Sequence, residues 1–446
     1  MTNQSGKMKR IAALGLMSFF CVALNGQTTQ GSWSLRQCID YARSNNIQVQ
    51  TTQIAQESAA EDLAQAKAQR LPSLNFSTSQ NLVNQKQQKE DGSYEANGTY
   101  SGNYALNAGI TLYNGGKLSN SLKQQEVAGE SARYQVDMAM NDIEIAVTQA
   151  YLNILYANEN VKINRQNVES SAAQLERSKA LLEAGSIAPS DYAQMESQYS
   201  SDKYQLTVSE TTLSQDILTL KQLLELGLNE HFEVEFPDLD STDVLVEIPA
   251  LADVYARALE VMPEVENSRL SIESSQLGEK IAASEALPSI TASAAVGTGN
   301  ISGTNYSFYN QLNNQLNENI GVTLSVPIFN RRQAKTSIAK ARLQTRQAEL
   351  DYTNMEKELL RTIESLYQDA VSAQSRYVAA NDQVKSAEIS YNLVLEQFNA
   401  GMKNTVDLLT QKNEYLASQQ EQIQAKYQAV LSIKLLNFYQ NEPITL

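Results

Sequence analysis

Leu71-Pro72-Ser73 recurs as Leu287-Pro288-Ser289, 216 residues on, and that offset returns at Tyr151 and Tyr367, Gly185 and Gly401, and Asp191 and Asp407. Tyr41-Ala42-Arg43 recurs as Tyr255-Ala256-Arg257, two residues out of step. One spacing held across so much chain marks the duplication of a whole structural unit. The fold must therefore be built from two copies of one plan, residues 27–226 and 250–446, with a Pro-containing acidic stretch at 227–249 between them.

Each copy carries two stretches of period two. In the first copy Tyr104, Leu106, Ala108, Ile110 and Leu112 alternate with Asn103, Ala105, Asn107, Gly109 and Thr111. In the second, Ile320, Val322, Leu324, Val326 and Ile328 alternate with Gly321, Thr323, Ser325 and Pro327. Alternation over nine residues predicts a strand with one apolar and one polar face. Weaker alternation after each Leu-Pro-Ser predicts two more, giving strands over about 73–83, 103–113, 289–297 and 319–329. Polar loops are expected at 84–100 and 297–319.

The rest reads as helix, rich in Ala, Gln and Glu. The expected helices are 35–43, 47–70, 117–184 and 190–226, then 251–261, 264–286, 331–399 and 405–440, giving helical hairpins over 117–226 and 331–440. Gly185 and Gly401 turn the long helices, Ser190 is the expected N-cap after the first turn, and Pro263 interrupts the helical run in the second copy. At 1.5 Å per residue the longest helix is a rod of roughly 100 Å. Two short helices placed end to end match one long one, which predicts a cylinder with a sheet at one end.

Residues 1–26 read as a secretory signal, with Lys7, Lys9 and Arg10 before an apolar core at Ile11–Leu24 that is too short to span a bilayer. Cleavage is expected near Gly26–Gln27, and it takes the formal charge from −15 to −18. Cys21 follows Phe20, which is too bulky for a lipid-attachment signal. Cys38 is then the one thiol, so no internal disulfide forms. The acidic balance, 35 basic against 50 acidic residues, speaks against nucleic acid as a partner.

No later apolar run is long enough for a spanning helix, so a membrane is crossed by strands or not at all. Strands of about ten residues suffice when tilted. Lipid tolerates no unpaired strand edge, and four strands do not close, so a barrel needs several copies of the chain: two give eight strands and three give twelve. The apolar faces would then meet lipid, and Asn103, Asn107, Thr111, Thr323 and Ser325 would line the lumen. The competing fold is a soluble α+β protein with its hairpins packed on helices.

The paired Leu-Pro-Ser entries, the strand ends Leu112-Tyr113-Asn114-Gly115-Gly116 and Pro327-Ile328-Phe329-Asn330-Arg331-Arg332, and the turns Ala184–Asp191 and Ala400–Leu408 together resemble the TolC-type outer-membrane efflux family over nearly the whole mature chain. The resemblance implies a homotrimer in the outer membrane with a 12-stranded β-barrel and a 12-helix periplasmic tunnel. It implies a belt made by 227–249, and passive export driven by an inner-membrane pump of resistance-nodulation-division or ABC type through a periplasmic adaptor. It assigns a gate and adaptor contact to the helix tips: Gly185, Ser186, Pro189, Asp191, Phe398, Gly401, Lys403, Asp407 and Thr410. Asp191 and Asp407 each begin a helix, so capping and a gate role are compatible there. Thr410 and Gln194 stand where family members carry a second acidic residue, so a gate with fewer charges is implied. Drug efflux, type I protein secretion and metal-ion efflux all share this architecture; no Met or His cluster is visible, which favours small amphiphiles.

No catalytic, cofactor or metal constellation appears. His231 has no second His to form a site with, and Gly115-Gly116 is followed by no phosphate-loop Lys-Ser/Thr. An envelope enzyme and a structural or adhesive coiled coil are the rival classes; the second would need sustained heptads and no alternating strands. Tyr94, Tyr100, Tyr306 and Tyr309 are either an interfacial aromatic belt or plain loop tyrosines.

Overall fold

The computed structural model describes residues 32–446, so the expected signal segment, with Cys21 and the cleavage position, lies outside the described residues. In chain order it contains α1 (Leu35–Asn45), α2 (Ile47–Ala68), β1 (Ser73–Gln88), β2 (Tyr94–Asn114), α3 (Lys117–Glu183), α4 (Pro189–Leu223), α5 (Ser241–Val244), α6 (Leu251–Val261), α7 (Pro263–Ser284), β3 (Ser289–Ile301), α8 (Phe308–Asn314), β4 (Asn317–Ser325), α9 (Gln333–Asn399) and α10 (Thr405–Tyr439).

Adding 216 to both ends of α1, α2, α3 and α4 gives the ends of α6, α7, α9 and α10. The Tyr-Ala-Arg match is thus out of structural register: Tyr41 aligns with Arg257, and Tyr255 with Ile39. Burial is what the register preserves. Cys38 and Ala42 on α1 and their counterparts Val254 and Ala258 on α6 are all fully buried. Pro263 does not interrupt a helix; it is the first residue of α7, where its missing N–H is no loss.

The chain forms two compact units. The first holds the described residues up to Ala42, Val147–Asp240 and Thr445–Leu446. Its core is Cys38, Ile39, Ala42, Val147, Tyr151, Leu152, Ile154 and Leu155. Trp33 forms a parallel bridge with Val234, its N–H donating to Glu233 O at 2.7 Å while Glu235 N–H donates back to Trp33 O at 2.9 Å. The buried Tyr151 hydroxyl donates to Glu235 O at 2.6 Å and so seals this bridge. Burial pushes the Cys38 thiol up to about 12, leaving it a small apolar filler.

The second unit is Arg43–Ala146 and Ser241–Ile444. It holds one antiparallel sheet in the order β1-β2-β3-β4, and the helices α7, α9 and α10, with Val265 and Leu277 of α7, Ile363, Ala370 and Ala373 of α9, and Val430, Ile433 and Leu436 of α10 buried. Gln374 donates to the carbonyls of both Val244 and Val246 at 2.8 Å, pinning the segment after α5.

The sheet departs from the expected strand limits. β1 and β2 run on through most of 84–100, because Glu90-Asp91-Gly92 makes a tight hairpin turn: Lys89 N–H donates to Ser93 O, and Gly92 takes φ +83°. β4 ends at Ser325, before Pro327, which has no N–H for a ladder and restrains Val326 ahead of it. Val326 and Ile328 therefore lie beyond the strand. Residues 302–316, expected as plain loop, contain α8, capped by Ser307 Oγ accepting from Asn310 N–H.

Candidate functional site

The residues expected to carry function lie in two places: the faces of the sheet and the turns at the helix tips. Register makes the faces continuous across strands. Ala108 stands between Leu74 and Ala294, with Ile320 next beyond; Leu106 stands between Phe76 and Val296, and that row closes on Glu318 of β4; Ile110 meets Ala292, which meets Val322; Ile290 meets Leu324. Tyr104, between Thr78 and Thr298, ends this face. On the other face Asn107 lies between Asn75 and Ala295, Thr111 meets Thr291 and then Thr323, Ser289 meets Ser325, and Asn103 lies between Ser79 and Gly299. Four sequences with separate turns thus agree on one oily side and one wet side. Among the described residues nothing covers Ile320 and Val322 on the oily side, which are 87% and 68% exposed.

Leu112 is the exception. The ladder steps from Thr111 opposite Thr291 to Tyr113 opposite Ile290, so Leu112 is the extra residue of a β-bulge, and Tyr113 takes the ladder position beside Ile290. Strict alternation does not reveal such an insertion. The sheet also has two free edges, β1 and β4, since each pairs with only one neighbour.

The two tip turns are built alike. After α3, Gly185 takes φ +71°, its N–H donates to Leu182 O at 2.9 Å, and Ser186 N–H donates to Leu181 O at 2.8 Å. After α9, Gly401 takes φ +74°, with Gly401 N–H to Phe398 O at 3.0 Å and Met402 N–H to Gln397 O at 2.9 Å. This is the paired-bond helix stop that uses a left-handed residue. A Cβ on either glycine would meet nothing within 4 Å, so backbone conformation alone selects glycine there.

The helices that follow are capped differently. Ala188, not Ser190, is the N-cap of α4; Pro189 opens the helix, and the Asp191 carboxylate accepts from Ala188 N–H at 3.4 Å. On α10, Asn404 Oδ1 accepts from Asp407 N–H at 2.9 Å, which frees the Asp407 carboxylate for Lys403 Nζ at 3.3 Å. That pair is well exposed, so its energetic weight is small. Phe398 is buried in the α9/α10 hairpin rather than presented at the turn, and the Thr410 hydroxyl donates to Val406 O of its own helix.

Sequence reasoning missed the adjacent left-handed residues Arg331 and Arg332 (φ +52° and +67°) between β4 and α9. Their counterparts at the 216 offset, Gly115 and Gly116, take φ +65° and +85°, so the repeat itself held that signal. Among the described residues no cluster of His, Cys, Asp and Glu could hold a metal, and no helix is long and apolar enough to cross a membrane.

Comparison with known proteins agrees with this architecture. Residues 38–225 and 254–437 match the family model described as outer membrane efflux protein. The outer membrane efflux protein BepC of Brucella suis is 25% identical over 189 residues, 42% of this chain and 40% of BepC, so the aligned part spans less than half of that relative. Among solved structures, the transmembrane channel protein CusC superposes with a TM-score of 0.77 at 16% identity, covering 92% of this chain and 95% of CusC. The CmeC outer membrane channel of Campylobacter jejuni gives 0.76 at 18% identity, covering 94% and 92%. With both repeats matched over most of the chain, the protein belongs to the outer membrane efflux protein family.

Proposed function

We propose that this chain is the outer-membrane channel of a tripartite exporter, secreted by its N-terminal signal and assembled as a homotrimer. The observation that carries the reading is the sheet: one face apolar across all four strands up to the row that ends at Glu318, one polar face and two open edges. Three copies closing edge to edge would give twelve strands around a wet lumen, with no edge left in lipid. Asn103, Asn107, Thr111, Thr323 and Ser325 would line the lumen, and Tyr104, Leu106, Ile110, Ile320, Val322 and Leu324 would meet lipid.

The long hairpins would extend into the periplasm as a tunnel. Their tips at Gly185–Asp191 and Gly401–Asp407 would meet a periplasmic adaptor, itself coupled to an inner-membrane pump of resistance-nodulation-division or ABC type. The channel conducts and catalyses nothing in this reading, so the pump selects the cargo; drugs and other small amphiphiles are the expected class. Lys403 and Asp407 give the tip a neutralised pair, so the gate is expected to depend on turn geometry more than on a ring of acids. Gly401→Val, which the left-handed turn does not accommodate, would leave the trimer assembled and abolish export.

Strand parity supplies the direct test. A cation at mid-bilayer on the lipid face opposes insertion by about 2–4 kcal/mol. Val322→Arg is expected to reduce heat-resistant trimer in outer-membrane fractions, while its neighbour Thr323→Arg assembles normally and changes conductance. Equal assembly of the two variants would refute the assigned faces.

A further inference from the structure

The two connections at the far end of the sheet from the helices differ in chemistry. The β1/β2 connection is a ribbon carrying Lys86, Lys89, Glu90, Asp91 and Glu95. The β3/β4 connection, residues 302–316, contains no Asp, Glu, Lys or Arg, the next charge being Glu318 on β4, and it places Tyr306, Phe308 and Tyr309 in the open.

That second connection is folded down and held. β4 begins at Asn317 opposite Gly297, which leaves the end of β3 without a ladder partner on that side. α8 takes the vacant place. The Thr298 hydroxyl donates to Leu312 O at 2.6 Å, Ile301 N–H donates to Gln311 Oε1 at 2.7 Å, and Gln311 Nε2 donates to Tyr306 O at 3.0 Å. Thr298 lies on the same face as Val296, Ala294 and Ile290, one row beyond the Val296–Glu318 row, while Gln315 at the end of α8 lies beside Gly299 of the polar face, so α8 caps the open edge of β3 at the margin of the apolar face.

From this we infer that α8 is an interfacial lipid anchor. Tyr306, Phe308 and Tyr309 insert at the headgroup level of the outer leaflet, while the charged β1/β2 ribbon projects into water. Aromatic rings with polar tips favour the membrane–water boundary, and a segment free of charge can enter it without desolvating an ion. The occupant is the lipid surface, because the Thr298–Leu312 bond ties the helix to the margin of the face already assigned to lipid, one row beyond Val296 and Glu318; the inference rests on that assignment.

The test uses full-length protein in a Trp33→Phe background, since Trp33 is the single tryptophan. Tyr309→Trp, Tyr94→Trp and Val322→Trp are each reconstituted in phosphatidylcholine vesicles brominated near the glycerol end of the acyl chain, or near its methyl end. Tyr309→Trp should be quenched by the glycerol-end bromines about twofold or more beyond Tyr94→Trp, as a boundary-seated ring requires. Val322→Trp should be quenched most by the methyl-end bromines. Quenching of Val322→Trp but not of Tyr309→Trp, or equal quenching at 309 and 94, would overturn the anchor and leave the channel reading standing. No quenching of Val322→Trp would instead remove the lipid-facing sheet on which both depend.

Discussion

The two repeats place their helices at identical offsets and then fill the seams between them with different chemistry. In the α3/α4 hairpin the buried positions toward the tip include Met195 but are mostly polar: Asn164, Asn167, Ser171, Gln174 and Ser178, with a buried Asp202 on α4. Ser171 Oγ donates to Asp202 at 2.6 Å, and Gln198 Nε2 donates to its other oxygen at 2.8 Å. The counterparts in α9 are Ala380, Gln383, Ala387, Ser390 and Val394, and Asp202 aligns with Ser418. The α9/α10 hairpin is closed by Tyr391 stacked on Tyr415 (5.7 Å, 12°), with Phe398 and Leu408 buried toward the tip and with Ser390 Oγ donating to Gln411 Oε1 and Gln422 Nε2 to Asn381 Oδ1 across it. One backbone plan thus supports a seam centred on a buried carboxylate in one copy and a seam centred on stacked and apolar side chains in the other. Duplication constrains the length and direction of a helix far more than it constrains what lies between helices.

The largest effect should come from the apolar seam. Leu408→Ala opens a cavity at a fully buried site and should cost about 2–5 kcal/mol of local stability. Tyr192→Ala, the equivalent change in the first repeat, removes a half-buried ring and should cost clearly less. Amide hydrogen exchange in α10 and α4 measures both, and equal effects would mean that the two tips are packed alike.

The next comparison concerns the strand-to-helix links. Gly115→Ala places a Cβ 2.7 Å from Leu287 Cβ at φ +65°, and should destabilise by roughly 1–3 kcal/mol. Arg331→Gly, at the matching position, relieves a strained left-handed residue and should stabilise by up to about 1 kcal/mol. Thermal unfolding of the pair reads the opposite signs; a loss in both would assign Arg331 contacts that outweigh its backbone strain.

Ser171→Ala should loosen the polar seam by about 1–2 kcal/mol, because a buried carboxylate loses one of its donors. Exchange should quicken in the tip half of α3 and α4 only. Global loss of protection would make the seam part of one cooperative core.

The smallest change is Glu264→Gln, which gives the second repeat the residue that the first carries at Gln48. Burial raises the Glu264 carboxyl above its ordinary value, and its Oε2 has no hydrogen-bond partner. A raised carboxyl means that the folded state binds the proton more tightly than the unfolded chain does. Stability is therefore lost as pH climbs from the ordinary value of 4.5 through the raised one. Glu264→Gln should melt higher than the parent at neutral pH and lose its advantage below about pH 4.5. An advantage independent of pH would assign the gain to packing.

Much of this architecture was legible in the chain because the relevant signals are periodic. The left-handed glycines at 185 and 401 and the helix ends at 183 and 399 follow from residues that stop a helix, and alternation located the strands. What was not legible lies where one bond or one extra residue decides. The bulge at Leu112 shifts register by a residue that alternation cannot mark. The β1/β2 ribbon hid behind its charges, although Asp91-Gly92 is a hairpin signal. α8 is only seven residues long and is held by tertiary bonds to Thr298 and Ile301 rather than by propensity. Burial of Phe398 is a matter of packing, which no local pattern encodes.

The most direct test of the central claim is single-channel recording of the detergent-purified mature protein in a planar bilayer, with its oligomeric mass measured alongside. The account predicts a trimer that yields discrete conductance steps, altered by Thr323→Arg. A monomer that stays soluble without detergent and gives no conductance would contradict it, returning the apolar face of the sheet to an ordinary protein core.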